Sequence, residues 1–294
     1  MGESLQTCRV PDDLERERHR IAQDTEMRTT MPRTSAKSVD ALFLQQELET
    51  LGLPRGAVVI VHSSLSAFGA IEGGPRAVVD ALRYCVGDSG TVVVPTFTPQ
   101  VSDPYPQSSA FGDAQVEGAR RGVPLFRDAL PTPMGAVANA VLAHPERLRG
   151  NHPQASVAAL GARAREITAD QPLAYALGKN SPFERMYGLG AYILLLGVGH
   201  NRNSFLHYAE SLTSCHRTKL RRFPYVIQRE RLWVEAPDVG DDNGTYFPLL
   251  GSEADAAGLI RHKMIGSAPC QLIESRPFVD FARLRLEALL AETA

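Results

Sequence analysis

The sequence predicts an α/β protein: a three-layer α/β/α arrangement with a mainly parallel or mixed central sheet. Three observations carry this reading. Short, continuously apolar and β-branched runs at residues 57–61 (AVVIV), 91–95 (TVVVP) and 192–196 (YILLL) have the length and composition of strands covered on both faces. Segments of helical periodicity lie between such runs, so helix and strand alternate along the chain. The first two runs are joined by a Gly/Ser loop and a helix, the βαβ unit that sets parallel strands side by side through a right-handed crossover.

Residues 1–35 are rich in Arg, Glu, Asp and Thr without sustained apolar spacing, and are expected to form a flexible or peripheral arm ahead of a domain spanning 36–294. Val39, Leu42, Phe43, Gln46 and Leu51 follow helical spacing, with Ser38 as the expected N-cap and Gly52 and Pro54 as the stop. After the strand at 57–61 comes the loop 62–74 (HSSLSAFGAIEGG), and Pro75 suits the first turn of the next helix. Residues 98–133 hold many prolines and little periodicity, which marks a functional surface region more than a spacer. Beyond them the pattern predicts a helix over 137–144, an apolar run at 155–160, the strand 192–196 and a helix over 204–210. Two strands around a charged turn follow within 225–234, with helices over 256–263 and 278–290, the last opened by Pro277.

The chain has 294 residues, 31 basic and 33 acidic side chains and a formal charge of −2, a balance that excludes attachment to nucleic acid or membrane by bulk charge. The longest apolar run is far below the roughly 18 residues of a membrane span. The first twenty residues hold no apolar signal core, so a cytoplasmic location is expected. Cys8, Cys85, Cys215 and Cys270 are widely spaced, as expected for reduced structural thiols and not for a disulfide framework or metal site.

Three segments could carry chemistry. The loop 62–74 feeds a helix N-terminus and adds serine hydroxyls, donors suited to a phosphate or carboxylate. It closes as neither a Walker loop nor a dinucleotide loop, so an ordinary glycine-containing connection remains the alternative. His207 and Glu210, three residues apart on a helix, share a face on which the carboxylate could orient the imidazole; a solvated polar face explains the pair equally well. Residues 151–156 (NHPQAS) place His152 before a proline, where a structural turn is the default. No spacing here calls for a metal.

Taken in order, 61–65 (VHSSL), 71–74 (IEGG), 90–98 (GTVVVPTFT), 152–161 (HPQASVAALG), Ser181-Pro182, 194–199 (LLLGVG) and 206–210 (LHYAE) resemble the aminoglycoside 3-N-acetyltransferase family over about residues 38–285. The resemblance implies direct transfer of an acetyl or other acyl group from a coenzyme A thioester to a small-molecule amine, with no metal. It implies that His62, Ser63, Ser64, Ser66, Gly73, Gly74 and Thr96 hold coenzyme A, and that Glu210 orients a histidine and stabilises the charge that develops as the amine loses its proton. A possible homodimer is also expected.

One departure stands out. The stretch that carries the family's apparent histidine base has Gln171 here, and glutamine cannot accept a proton near neutrality. His152 and His207 remain as candidate bases. The departure leaves three consequences open: a less basic acceptor or a different donor such as an acyl carrier protein, slow transfer by proximity alone, or an impaired enzyme that serves as a thioester-binding module.

Overall fold

In the computed structural model, residues 39–106, 114–242 and 244–292 are described; the expected arm, Cys8 and Ser38 lie outside them. Helix α1 spans Ala41–Leu51, and Asp40 is its N-cap, its carboxylate accepting the Phe43 N–H at 2.7 Å. Strand β1 (Val58–Ser63) runs into the loop, α2 covers Gly74–Val86 and β2 is Thr91–Pro95. The 98–133 region contains a helix that its sequence did not announce, α3 (Ala114–Gly122), and α4 (Ala136–Leu142) follows. A two-residue strand β3 (Leu148–Arg149) and β4 (Val157–Gly161) precede α5 (Ala164–Thr168) and α6 (Pro182–Gly188). Strand β5 (Tyr192–Leu196) leads to α7 (Phe205–Ser211), and then come the ten-residue strands β6 (Thr218–Ile227) and β7 (Glu230–Val239). The chain ends with α8 (Phe247–Ala256), β8 (Ile260–Ile265), β9 (Ala268–Glu274) and α9 (Ser275–Ala291).

Among the described residues these strands form a seven-stranded sheet in the order β3-β4-β2-β1-β5-β9-β8. The centre, β2-β1-β5, is parallel, and β4 and β9 flank it antiparallel. Strand periodicity then sorts side chains into two cores. Val59, Val61, Leu194 and Leu196 face α1, α2 and α4, whereas Ile60, Ile193 and Leu195 face α6 to α9. Both faces are covered, which is why the central runs lack hydrophobic–polar alternation and why the architecture is a three-layer α/β/α arrangement with a mixed sheet. No helix among the described residues is long and apolar enough to cross a membrane.

The helix expected over 256–263 is not formed. Gly258 adopts φ +74° and ends α8, and residues 260–265 pair antiparallel with β9 as the outer strand of the sheet. The hairpin β6–β7 is much longer than the expected 225–234 and pairs with itself in a second sheet. Two main-chain hydrogen bonds fasten it to the body: Asp103 N–H to the Arg222 carbonyl at 3.0 Å and Tyr175 N–H to the Pro237 carbonyl at 2.8 Å.

Candidate active site

The C-terminal ends of parallel strands are where an open α/β sheet presents ligands to loops, and two clefts open there. The first, about 460 Å³, is lined by His62 and Ser63 from β1 and Ser64 just after it, by the loop after β5 including Gly197 and Arg202, and by Met134. Its wall needs a glycine. Gly197 has φ +67°, and a Cβ there would sit 2.4 Å from the Ala67 Cβ and 3.1 Å from the Ser64 carbonyl oxygen. That close approach lets Ser64 N–H reach the Leu196 carbonyl at 2.9 Å, which joins the loop to β5. The His62 Nε2 is buried with no hydrogen-bond partner among the described residues. Burial, then the neighbouring His200, pushes the His62 pKa down to about 3, so the ring is neutral.

The second cleft, about 400 Å³, shares Met134 with the first and is lined by His207 from α7, by Lys219, Arg221 and Arg222 from β6, and by Asp103 and Asp241. Both volumes fall within the usual range for small-molecule sites. Burial lowers the His207 pKa to about 4, with the charges of Lys219 and Arg221 acting in the same direction. Its Nδ1 has no hydrogen-bond partner among the described residues, and its ring stands edge-on to Phe247 at 4.9 Å. Two clefts meeting at one side chain is the arrangement that a two-substrate transfer requires.

The sequence profile of aminoglycoside 3-N-acetyltransferases matches residues 60–287. The chain belongs to this family. It is 31% identical over 262 residues to the SPbeta prophage-derived aminoglycoside N(3')-acetyltransferase-like protein YokD of Bacillus subtilis (strain 168), covering 86% of this chain and 92% of that one. Its fold matches the crystal structure of the aminoglycoside acetyltransferase AAC(3)-Xa with a TM-score of 0.80 at 30% identity, over 86% and 94% of the two chains. It also matches AAC-IIIb in a binary complex with CoASH, with a TM-score of 0.76 at 27% identity, over 86% and 98%.

The positions implied by the aminoglycoside acetyltransferase resemblance divide into those at the clefts and those turned away. His62, Ser63 and Ser64 line the first cleft, and Ser66 stands beside it with its hydroxyl 3.0 Å from that of Ser64. Gly73 and Gly74 do not line that cleft. They open α2 in left-handed conformations, next to Glu72, whose N–H bonds the Val39 carbonyl. Thr96 is fully buried, its Oγ1 3.0 Å from both the carbonyl and the hydroxyl of Ser156, so it ties β2 to β4.

The candidate bases divide in the same way. His152 is fully buried, its Nδ1 accepting the N–H groups of Gln154 and Ala155 and its Nε2 3.2 Å from the Leu173 carbonyl. Those contacts fix the neutral Nε2–H tautomer and use up the lone pair that a base needs. Gln171 is buried too, and its Nε2 donates to the carbonyls of Ala155 at 2.9 Å and Ala176 at 2.7 Å. Glu210 is fully buried, and its carboxylate is hydrogen-bonded to Arg217 and not to His207. Its oxygens accept the Arg217 backbone N–H, Nε and Nη2 at 3.1, 2.8 and 2.7 Å, and Arg217 also pairs with Asp242 at 3.0 Å. Of the candidate bases, His207 alone lines a cleft.

Residues missed by the sequence reading are Gly197, Arg202 and Met134, together with the β6 cations Lys219, Arg221 and Arg222. Of the acidic residues in the 98–133 region, Asp103 reaches the second cleft, whereas Asp128 pairs with Arg147 at 2.5 Å. Among the described residues no group of acidic, histidine or cysteine side chains could hold a metal ion.

Proposed function

We propose that the protein transfers an acyl group from coenzyme A to the amine of an amino-sugar-like acceptor. The observation that carries this reading is the junction of the two clefts at Met134. In the first cleft, the thioester co-substrate would meet the Ser63 and Ser64 hydroxyls and the backbone around Gly197, with Arg202 available to its phosphates. A relative of the same fold solved with CoASH supports coenzyme A as the co-substrate.

The acceptor amine enters the second cleft unprotonated or loses its proton to His207. The nitrogen lone pair then attacks the thioester carbonyl, the C–N bond forms, the C–S bond breaks, and the thiolate takes up the proton released by the nitrogen. A neutral imidazole of lowered pKa is available at pH 7 but is a weak acceptor, so its contribution belongs near the lower end of the roughly 10²–10⁴ range for general-base assistance. Orientation of the two bound reactants supplies the rest.

Following thiol release from acetyl-CoA with a panel of amines, alongside calorimetry with coenzyme A, tests the proposal. Saturable coenzyme A binding with amine-dependent thiol release is expected, and absence of coenzyme A binding overturns it. A thioester-binding module is the second reading. It is favoured by the internal hydrogen bonding of Gln171, His152 and Glu210, and it predicts binding without turnover of any amine.

A further inference from the structure

The lining of the second cleft narrows the class of acceptor, given that this cleft is the acceptor site of the reading above. Two carboxylates line it, and one is saturated. Asp103 has a side chain only 1% exposed and accepts three bonds from Arg120, one from Arg222 at 3.2 Å and one from the Tyr105 N–H at 3.0 Å. A carboxylate offers about four lone-pair sites, so Asp103 has nothing left for a ligand ammonium. Asp241 is 60% exposed but faces the Lys219 ammonium.

Three cations line it as well, each beside a carboxylate: Lys219 with Asp241, Arg221 with Asp238, and Arg222 with Asp103 and Glu235. Lys219, Arg221 and Arg222 all enter the cleft from β6, with side chains 25, 15 and 16% exposed. Arg221 directs Nε at Asp238 and Nη1 at the Gln154 amide oxygen at 3.3 Å, and its Nη2 has no partner among the described residues. Burial and then the Arg221 charge hold the Lys219 pKa below its ordinary value, against the opposing pull of Asp241 and Asp238. A polycationic sugar would find both lining carboxylates already paired, Asp103 with Arg120 and Arg222 and Asp241 with Lys219, beside three cations, and like charges in a partly desolvated site select against it.

We infer that the acceptor is an amine that also carries an anionic group, a carboxylate or a phosphate, which Lys219 and Arg221 hold while the amine faces His207. Such a zwitterionic ligand places each charge opposite its complement, and the Arg221 fork suits planar or tetrahedral oxyanions.

Calorimetry on the full chain, with and without coenzyme A, tests this with four probes: glucosamine, muramic acid, glucosamine 6-phosphate and kanamycin. Muramic acid or glucosamine 6-phosphate is expected to bind at least about tenfold more tightly than glucosamine, which corresponds to about 1.4 kcal/mol, and comparison of the two identifies the anion. Lys219→Met should erase that gain and Lys219→Arg should retain it, with coenzyme A affinity unchanged in both as evidence of folding. Tighter binding of kanamycin, equal affinities across the probes including no measurable binding, or a gain that survives Lys219→Met would overturn the inference. Because ligand binding is read directly, absent thiol release would count against acyl transfer alone.

Discussion

Replacing Glu210 by alanine separates a catalytic carboxylate from a structural one. Glu210 is fully buried and takes three hydrogen bonds from Arg217, a residue that also reaches Asp242. Asp242 in turn accepts the N–H groups of Tyr246 and Phe247 at the start of α8, so one guanidinium joins α7, β6 and α8. Removing one partner of a buried ion pair costs about 3–5 kcal/mol. Arg217 keeps Asp242 and is 26% exposed, which places Glu210→Ala near the lower figure, about 3 kcal/mol. At roughly 2–4 °C per kcal/mol for a domain of this size, the melting temperature should fall by about 6–12 °C. Glu210→Gln, which keeps an oxygen acceptor, should fall by less. Thermal unfolding followed by circular dichroism measures the shift, and transfer kinetics on the remaining folded fraction complete the test. Glu210→Ala with an unchanged melting temperature and a hundredfold loss of rate would refute this reasoning and return the carboxylate to the chemistry.

Gln171→His is expected to leave transfer unchanged and to lower stability by about 1–3 kcal/mol, because a neutral imidazole can serve only one of the two buried carbonyls that Gln171 satisfies; a tenfold gain in thiol release would show that this position reaches the reacting amine. Gly197→Ala should weaken coenzyme A binding more than tenfold, as the new methyl pushes on Ala67 and the Ser64 carbonyl in a left-handed backbone conformation; unchanged affinity by calorimetry would remove this loop from the donor site. Stability should decline as the solution is acidified. Burial holds the His62 pKa at about 3 and those of His152 and His207 at about 4, against 6.5 when unfolded. The unfolded chain therefore binds protons that the folded one refuses, so the stabilisation is complete above about pH 6.5 and is lost as pH falls towards 4, by about 1.4 kcal/mol per pH unit for each ring. Urea unfolding at a series of pH values measures this, and a flat profile between pH 7 and 5 would contradict it.

The central strands were legible because burial on both faces writes itself as an uninterrupted β-branched run, and β2 and β5 fall on the expected residues. Residues 260–265 (IRHKMI) carry three basic side chains and form an outer strand exposed along much of its length, so neither a continuous apolar run nor clean alternation marked β8. The first cleft was half legible. Loop composition announced donors, but it could not say that Ser63 and Ser64 line the cleft while Gly73 and Gly74 open α2 away from it and Thr96 spends its hydroxyl on Ser156. The second cleft was hardly legible at all. Lys219, Arg221 and Arg222 meet His207 and Asp103 only through tertiary packing across residues far apart in the chain, and a formal charge of −2 averages such a local concentration away.

The hairpin β6–β7 is anchored to the body through main-chain hydrogen bonds, from the Asp103 and Tyr175 amides to the carbonyls of Arg222 and Pro237. A carbonyl is supplied by whatever residue occupies the position, so these two attachments tolerate turnover of the side chains that project from the same strands, unlike those made by Arg222 to Asp103 and by Arg231 to the Arg120 and Val123 carbonyls. The loop after β5 enjoys no such freedom, since Gly197 admits no other residue without displacing its neighbours. Substitution along β6 can therefore change what the second cleft presents while these two attachments, and the Gly197 loop on the far side of Met134, stay as they are.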